Sequence, residues 1–324
     1  MLEEADFSDE DDIPLSQLIA ETRRSKRIRR KVKIEHEKAT ATKDTPRSFV
    51  VFLFCCIFRL LNVWVIRSQF DPDEYWQNLE PAYCHVFGHC DGLTWEWKRR
   101  SKISSFGSFD DFITQGFEGP IRSYVSILPT ILFYYLVKYL KLDSTWMVSK
   151  GPVVLNAIIV AAPTDWAVWR LSRWMEKENE RPSLWYLYAS LMSWFHGYAL
   201  IRTYSNSLET FFLIISLFLV GKEFLGRQPG ATFPTCLAFY LGGICCSIRF
   251  TCLASFVPMG LILSLQRRST IKFLFGFCLI PGLLGLGTTL LIDRYMYGFW
   301  AIPILGNIHF NVILGKYLRS ICLE

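Results

Sequence analysis

Apolar segments long enough, or nearly long enough, to cross a bilayer recur along this chain, at 49–66, 121–140, 147–168, 183–201, 208–225, 236–263 and 271–292. About 20 residues span a hydrocarbon core roughly 30 Å thick. Inside that core every backbone N–H and C=O must find a partner within the protein, which leaves helices and closed barrels. The alternation and turn spacing of a barrel are missing. The segments predict an all-α polytopic membrane protein, a transmembrane helix bundle of seven or more spans. Composition agrees: 51% of the residues are hydrophobic and only 20% charged, too apolar for an ordinary soluble domain. No internal repeat and no Gly/Ser-rich linker interrupts the bundle.

Charge placement predicts orientation. Residues 3–12 are acidic, and eight Lys/Arg lie between Arg23 and Lys33. A basic block beside the first apolar span predicts a cytosolic N-terminus. The alternative, a nuclear or nucleic-acid patch, is disfavoured by the span that follows so closely. Residues 1–47 read as a disordered cytosolic tail. Met1 starts no signal-peptide pattern, so the first span is expected to act as its own signal anchor. The basic loops at Lys222–Arg227, Gln266–Lys272 and Arg170–Arg181 read as cytosolic. If residue 70 is luminal, an odd number of crossings must separate it from residue 175, yet two apolar segments, 121–140 and 147–168, lie between them. One of the two is then re-entrant, surface-lying or broken. Segment 236–263, interrupted by Arg249, resembles two half-helices.

Ten cysteines do not form a framework. Cys55, Cys56, Cys236, Cys245, Cys246, Cys252 and Cys278 sit in apolar runs, as small hydrophobes do. Cys84 and Cys90 lie in the polar loop after the first span. There they are either a luminal disulfide or free thiols. His85 and His89 beside them are weak support for zinc.

Chemistry is concentrated at Asp71-Pro72-Asp73-Glu74-Tyr75-Trp76-Gln77, three carboxylates just past the first span. At bilayer depth each would cost roughly 2.5–3.5 kcal/mol, so they belong at the interface, level with the head group of a lipid-linked substrate. On the predicted topology three further polar clusters fall on the same side: Arg122-Ser123-Tyr124, Arg202 through Asn206 with Glu209, and Asp293-Arg294. Each alone has an ordinary reading, as a helix cap or as arginines snorkelling to head groups. Together they supply a carboxylate that accepts a proton and arginines that hold phosphate. A transporter would instead place its polar groups near the midplane. Trp76, Trp95 and Trp97 are either interface anchors or surfaces for a sugar or lipid. Arg59 and Arg249, inside apolar runs, are functional candidates by position. Arg249, at the break in its segment, is the better candidate for a ligand phosphate, and Arg59 for a neighbouring helix or the luminal interface.

Five runs in order over residues 50–311 resemble the mannosyltransferases that use dolichyl-phosphate mannose, glycosyltransferase family 22. They are Phe70 to Glu80, Leu93-Thr94-Trp95-Glu96-Trp97, Ile121-Arg122-Ser123-Tyr124, Arg202 to Thr210, and Ile292 to Gly298. The resemblance implies a GT-C-type helix bundle over 48–311 with a large first luminal loop at about 67–120, in the endoplasmic reticulum membrane. It implies an inverting transfer of an α-1,2-linked mannose, without nucleotide sugar, cofactor or required metal. The branch it points to acts on the GPI-anchor precursor, adding the third mannose. The branch that extends the dolichol-linked N-glycan and a non-catalytic membrane protein are the alternatives. Carried over by position, Asp73 is the expected general base, with Asp71 and Glu74 in support. Arg122, Arg202 and Arg249 are expected at the donor phosphate or lipid site, and Tyr124, Ser205, Asn206, Glu209, Asp293 and Arg294 among the substrate-binding residues. Partners are the lipid-linked donor and acceptor, with no nucleic acid. Two stretches depart from the family pattern: the 23 residues from Lys98 to Pro120, rich in Ser, Gly, Asp and Lys, and the tail 312–324, which reads as a truncated or frame-altered end.

Overall fold

A computed structural model of the chain describes residues 48–68, 72–98, 116–175, 184–225, 232–267 and 269–314. The tail 1–47, Asp71, residues 99–115 of the insertion, part of the basic stretch 170–181 and the tail beyond 314 lie outside the described residues. The described residues are helical, with no strand among them.

Among the described residues three helices are long and apolar enough to cross a membrane: α1 (Ser48–Val65), α4 (Thr145–Trp174) and α10 (Thr270–Tyr297). Between them lie α2 (Glu80–Phe87), α3 (Leu128–Tyr139), α5 (Trp185–Met192), α6 (Trp194–Tyr198), α7 (Ser205–Phe224), α8 (Thr232–Ile248) and α9 (Leu253–Leu265), with α11 (Pro303–Ile308) after α10. Only 11% of the apolar window of α1 and 22% of that of α10 are covered by protein. Trp64, Leu284 and Leu291 are each more than 60% exposed. Apolar faces of that size require a lipid environment.

Each expected span contains helix, but among the described residues three helices, not seven or more, are long and apolar enough to cross, and several others are shorter than their apolar runs. Segment 121–140 is helical only over Leu128–Tyr139, after a 3₁₀ turn at Tyr124–Ser126. Twelve residues rise about 18 Å, too little to cross. The first residues of the segment are extended because Arg122, Ser123 and Tyr124 are held from outside the helix. Segment 183–201 is cut at Ser193, whose ψ of 121° ends α5 and whose hydroxyl accepts from the His196 amide to start α6. Segment 236–263 divides at Arg249, which is extended (φ −146°, ψ 115°), followed by a 3₁₀ turn at Phe250–Cys252.

The core is a row of helices in which α8 lies between α7 and α10, and α7 in turn packs on α4. The α8–α10 crossing is a backbone contact. A Cβ on Gly243 would collide with the Gly282 carbonyl, and one on Gly285 with the Tyr240 carbonyl. Polar side chains clamp the helices where hydrophobic association gives little net drive. Ser216 donates to the Ala238 carbonyl at 3.1 Å, and Tyr240 and Thr288 hydroxyls meet at 3.1 Å. At the far end of α7, Glu223 accepts from Thr235 at 2.6 Å and pairs with Arg267.

Candidate active site

The helix that carries the acidic run starts at Pro72, whose carbonyl accepts from the amides of Tyr75 (3.0 Å) and Trp76 (3.2 Å). It then opens into a π-helical turn over Tyr75–Leu79, a wide turn often found at functional sites. Adjacent residues on a helix point in different directions, and this separates the two carboxylates. Asp73 and Gln77, one turn apart, share the outer face, and Gln77 Nε2 donates to Asp73 Oδ2 at 2.9 Å. Glu74 and Asn78 share the inner face, where Asn78 Oδ1 accepts from Thr130 at 2.6 Å.

Glu74 is 1% exposed. It accepts from Arg202 Nη1 at 3.3 Å and from the Thr203 amide and hydroxyl at 3.3 Å each. Arg202 also donates to the Ser68 carbonyl, and its guanidinium lies 5.2 Å from the centroid of the Tyr198 ring. Glu74 and Arg202 are therefore a buried, hydrogen-bonded pair that joins the acidic turn to the start of α7. Both lie behind the cavity wall.

In front of that pair is a cavity of about 240 Å³. Asp73, Gln77, Arg122, Tyr204, Asn206 and Arg249 supply its polar lining, and Phe195, Ala199 and Thr210 complete much of the wall. The acidic run, the Arg122 motif, the start of α7 and the α8–α9 break thus meet at one place. Each arginine is aimed by a carboxylate. Arg122 Nη2 donates to Glu96 Oε1 at 3.1 Å. Arg249 Nε lies 2.8 Å from Glu209 Oε2, and Arg249 Nη1 donates to Asn206 Oδ1 at 2.6 Å.

The backbone around Arg122 is fixed from three sides. The Ile121 amide donates to the Glu96 carbonyl at 3.0 Å. Tyr297 on α10 donates its hydroxyl to the Arg122 carbonyl at 2.8 Å. The Tyr124 amide donates to Asp293 Oδ1 at 2.7 Å. Asp293 is fully buried, so it acts on the Arg122 segment and not on the cavity. Tyr124 packs edge-on against Tyr297, Trp97 and His85. Burial, then the Asp293 carboxylate, raises its phenol above the ordinary value, so it stays neutral. Arg294 lies over the Trp300 ring, 5.8 Å from its centroid, and Ser205 donates to Asn206 at 3.4 Å.

Of the residues singled out in the sequence, Asp73, Arg122, Asn206 and Arg249 line the cavity. Glu74, Arg202, Glu209, Tyr124 and Asp293 stand behind it as supports, and Asp71 lies outside the described residues. Gln77, Glu96, Tyr204, Thr210 and Tyr297 were not among the expected site residues. Gln77 is one helical turn past Asp73, and Glu96 and Tyr297 sit inside the recurrent motifs, so spacing offered a signal for those three. Tyr204 and Thr210 likewise sit inside the run from Arg202 to Thr210. Cys84 and Cys90 form a disulfide, which takes both thiols out of metal ligation and closes the short loop after α2.

Comparison with known proteins places the chain. The sequence model of the Alg9-like mannosyltransferase family matches residues 50–108 and 110–320. The chain is 31% identical over 265 residues to mannosyltransferase APTG1 of Arabidopsis thaliana, covering 81% of this chain and 43% of that protein. It is 30% identical over 276 residues to GPI mannosyltransferase 3 of Candida albicans, with 84% and 49% covered. It is 26% identical over 295 residues to human GPI alpha-1,2-mannosyltransferase 3, with 87% and 48% covered. The chain spans about half the length of the curated relatives it matches. No solved structure matches it significantly. A matched region that takes in every cavity-lining side chain is the basis for the assignment: this chain belongs to the Alg9-like mannosyltransferase family.

Proposed function

We propose that the chain is a glycosyltransferase that moves mannose from dolichyl-phosphate mannose to the GPI-anchor precursor, making the α-1,2-linked third mannose by inversion. The observation that carries this reading is one exposed carboxylate, Asp73, sharing a cavity with Arg122 and Arg249. In the proposed step Asp73 takes the proton from the acceptor hydroxyl as its oxygen attacks the sugar's anomeric carbon. The carbon–oxygen bond to the phosphate breaks on the opposite face. The arginines stabilise the charge that develops on the departing dolichyl phosphate. Asp73 suits the role of base because its neighbour Glu74 is already saturated by Arg202 and Thr203. An apolar hollow of about 300 Å³ between α8, α9 and α10, lined by Phe239, Phe256 and Leu283, begins at Cys246 and Leu253, either side of Arg249. It offers the lipid of the donor or acceptor a place next to the phosphate site. The GPI acceptor and the α-1,2 linkage rest on the names of the human and Candida relatives. We place the enzyme in the endoplasmic reticulum membrane with a cytosolic N-terminus and a luminal cavity, in keeping with the charge pattern and the Cys84–Cys90 disulfide.

The test is expression of the 324-residue chain in cells lacking their own third GPI mannosyltransferase. The expected outcome is restored three-mannose precursor and surface GPI-anchored proteins, both lost with Asp73→Asn while the protein remains in the membrane. Restoration by Asp73→Asn at the native level would remove Asp73 as base. Failure of the native chain there, with rescue instead of cells that lack a mannosyltransferase of the dolichol-linked N-glycan, would move it to the other branch of the family.

A further inference from the structure

Cys245 and Cys252 meet across the helix break. Cys245 lies in the last turn of α8, Cys252 in the 3₁₀ turn before α9, and their sulfur atoms are 2.6 Å apart. Both are buried, at 0% and 4% exposure. The ordinary reading of a cysteine in an apolar helix is a small hydrophobe, and a small hydrophobe has no reason to seek another sulfur. We propose that Cys245 and Cys252 form an intramolecular disulfide that staples the α8–α9 break and fixes the turn carrying Arg249.

Three observations support the bond. Two thiols in contact across a tight turn have their reacting atoms already adjacent. The Cys84–Cys90 disulfide stands in the same polypeptide. Its segment leads through Glu96 to Arg122, which faces the same cavity as Arg249, so both pairs belong to the same end of the bundle and to one redox environment. Within the turn the Arg249 amide donates to the Cys245 carbonyl at 2.9 Å and the Cys252 amide to the Arg249 carbonyl at 3.2 Å. Glu209 on α7 holds the turn through Arg249 at 2.8 Å, Thr251 at 2.9 Å and Cys252 at 3.5 Å. A covalent link between its two ends would hold the turn even where the Glu209 contacts loosen.

The step is thiol–disulfide exchange with a disulfide-bearing oxidant. The thiolate of one cysteine attacks the oxidant's disulfide and forms a mixed disulfide. The thiolate of the second cysteine then displaces the oxidant, which leaves as a dithiol. The two electrons and the two thiol protons both end on the oxidant, whose disulfide is reduced to the departing dithiol, so no proton is released overall. Exchange needs open access to sulfur, so it takes place as α8 and α9 come together, before the pair is buried.

Peptide mapping of the full chain in its membranes tests this. Denature, block free thiols with N-ethylmaleimide, reduce, and label the newly freed thiols with iodoacetamide. Cys245 and Cys252 should carry the second label, as should the Cys84–Cys90 control, while Cys55 and Cys246 carry the first. Without reduction, trypsin cutting after Arg249 should leave the peptide that ends there joined to Phe250–Arg267. In Cys252→Ser, Cys245 should change to the first label. N-ethylmaleimide on either Cys245 or Cys252 of the native chain overturns the proposal. So does a Cys245 that keeps the second label in Cys252→Ser, since its bond would then run to another cysteine. The readout is a mass and does not depend on transfer activity or on the fold of a variant.

Discussion

Two neighbouring carboxylates, Asp73 and Glu74, take opposite roles because a helix turns roughly 100° per residue. One faces a cavity and the other is buried against Arg202. Substitution should separate the roles. Arg202→Met leaves Glu74 buried beside an apolar side chain. Removing one partner of a buried pair costs about 3–5 kcal/mol, so this variant should lose folded protein, read as thermal stability in detergent. Asp73→Asn, at an exposed position, should keep its stability and lose only transfer. The support of Arg122 by Tyr297 is tested by a cycle. Tyr297→Phe removes one hydroxyl from the Arg122 carbonyl. A neutral hydrogen bond is worth about 1 kcal/mol, so transfer should fall about fivefold. In an Arg122→Ala background the same change should cost nothing further. A full additional loss there would mean that Tyr297 does not act through Arg122.

Helix lengths follow local rules that the apolar runs only partly disclose. The break at Arg249 was legible, because a charged residue inside a long run marks a discontinuity. The shortening of 121–140 was not, since the hydrogen bonds that keep Tyr124 and Arg122 out of helix come from Asp293 and Tyr297 on a distant element. The cut at Ser193 rests on a single cap in an otherwise apolar stretch. The site shows the same division. The motifs named the cavity's Asp73, Arg122 and Asn206, and a charge inside an apolar run named Arg249, but the pairing of Arg202 with Glu74 crosses 128 positions and no spacing rule reaches that far. At the α8–α10 crossing Gly243 and Gly285 read as ordinary glycines of a membrane helix, yet backbone carbonyls lie where their Cβ atoms would go. Gly243→Val should force these helices apart and lower thermal stability, because the obstacle is the main chain and cannot rotate away. Gly287→Val, on the same crossing helix α10 with nothing within 4 Å of its Cβ position, should be far milder. Equal effects would rule out close approach as the cause.

At the scale of the whole bundle, a buried polar centre ties helices that are far apart in the chain. Arg59 of α1 donates to both oxygens of Asp165 on α4, at 2.6 and 2.9 Å, and both side chains are fully buried. Arg59 also donates to the Ser190 carbonyl of α5 at 3.2 Å. The Ser190 hydroxyl donates to Asp165 at 2.6 Å and lies 3.1 Å from His196 Nδ1 on α6. His196 stands in sequence between Phe195 and Ala199, two wall residues of the cavity, so this centre fixes part of the cavity wall as well as a helix. In a low-dielectric interior the attraction between the charges only about offsets their desolvation, and a lone buried charge is the costly state. The prediction follows from that balance. Arg59→Met strands Asp165 and should lower stability by about 3–5 kcal/mol, whereas Arg59→Met with Asp165→Leu removes both charges and should recover most of the loss. Thermal melting of the three proteins in detergent measures it. A double variant no more stable than Arg59→Met would show that the pair contributes through its geometry, since then the removal of the stranded charge would have brought nothing back.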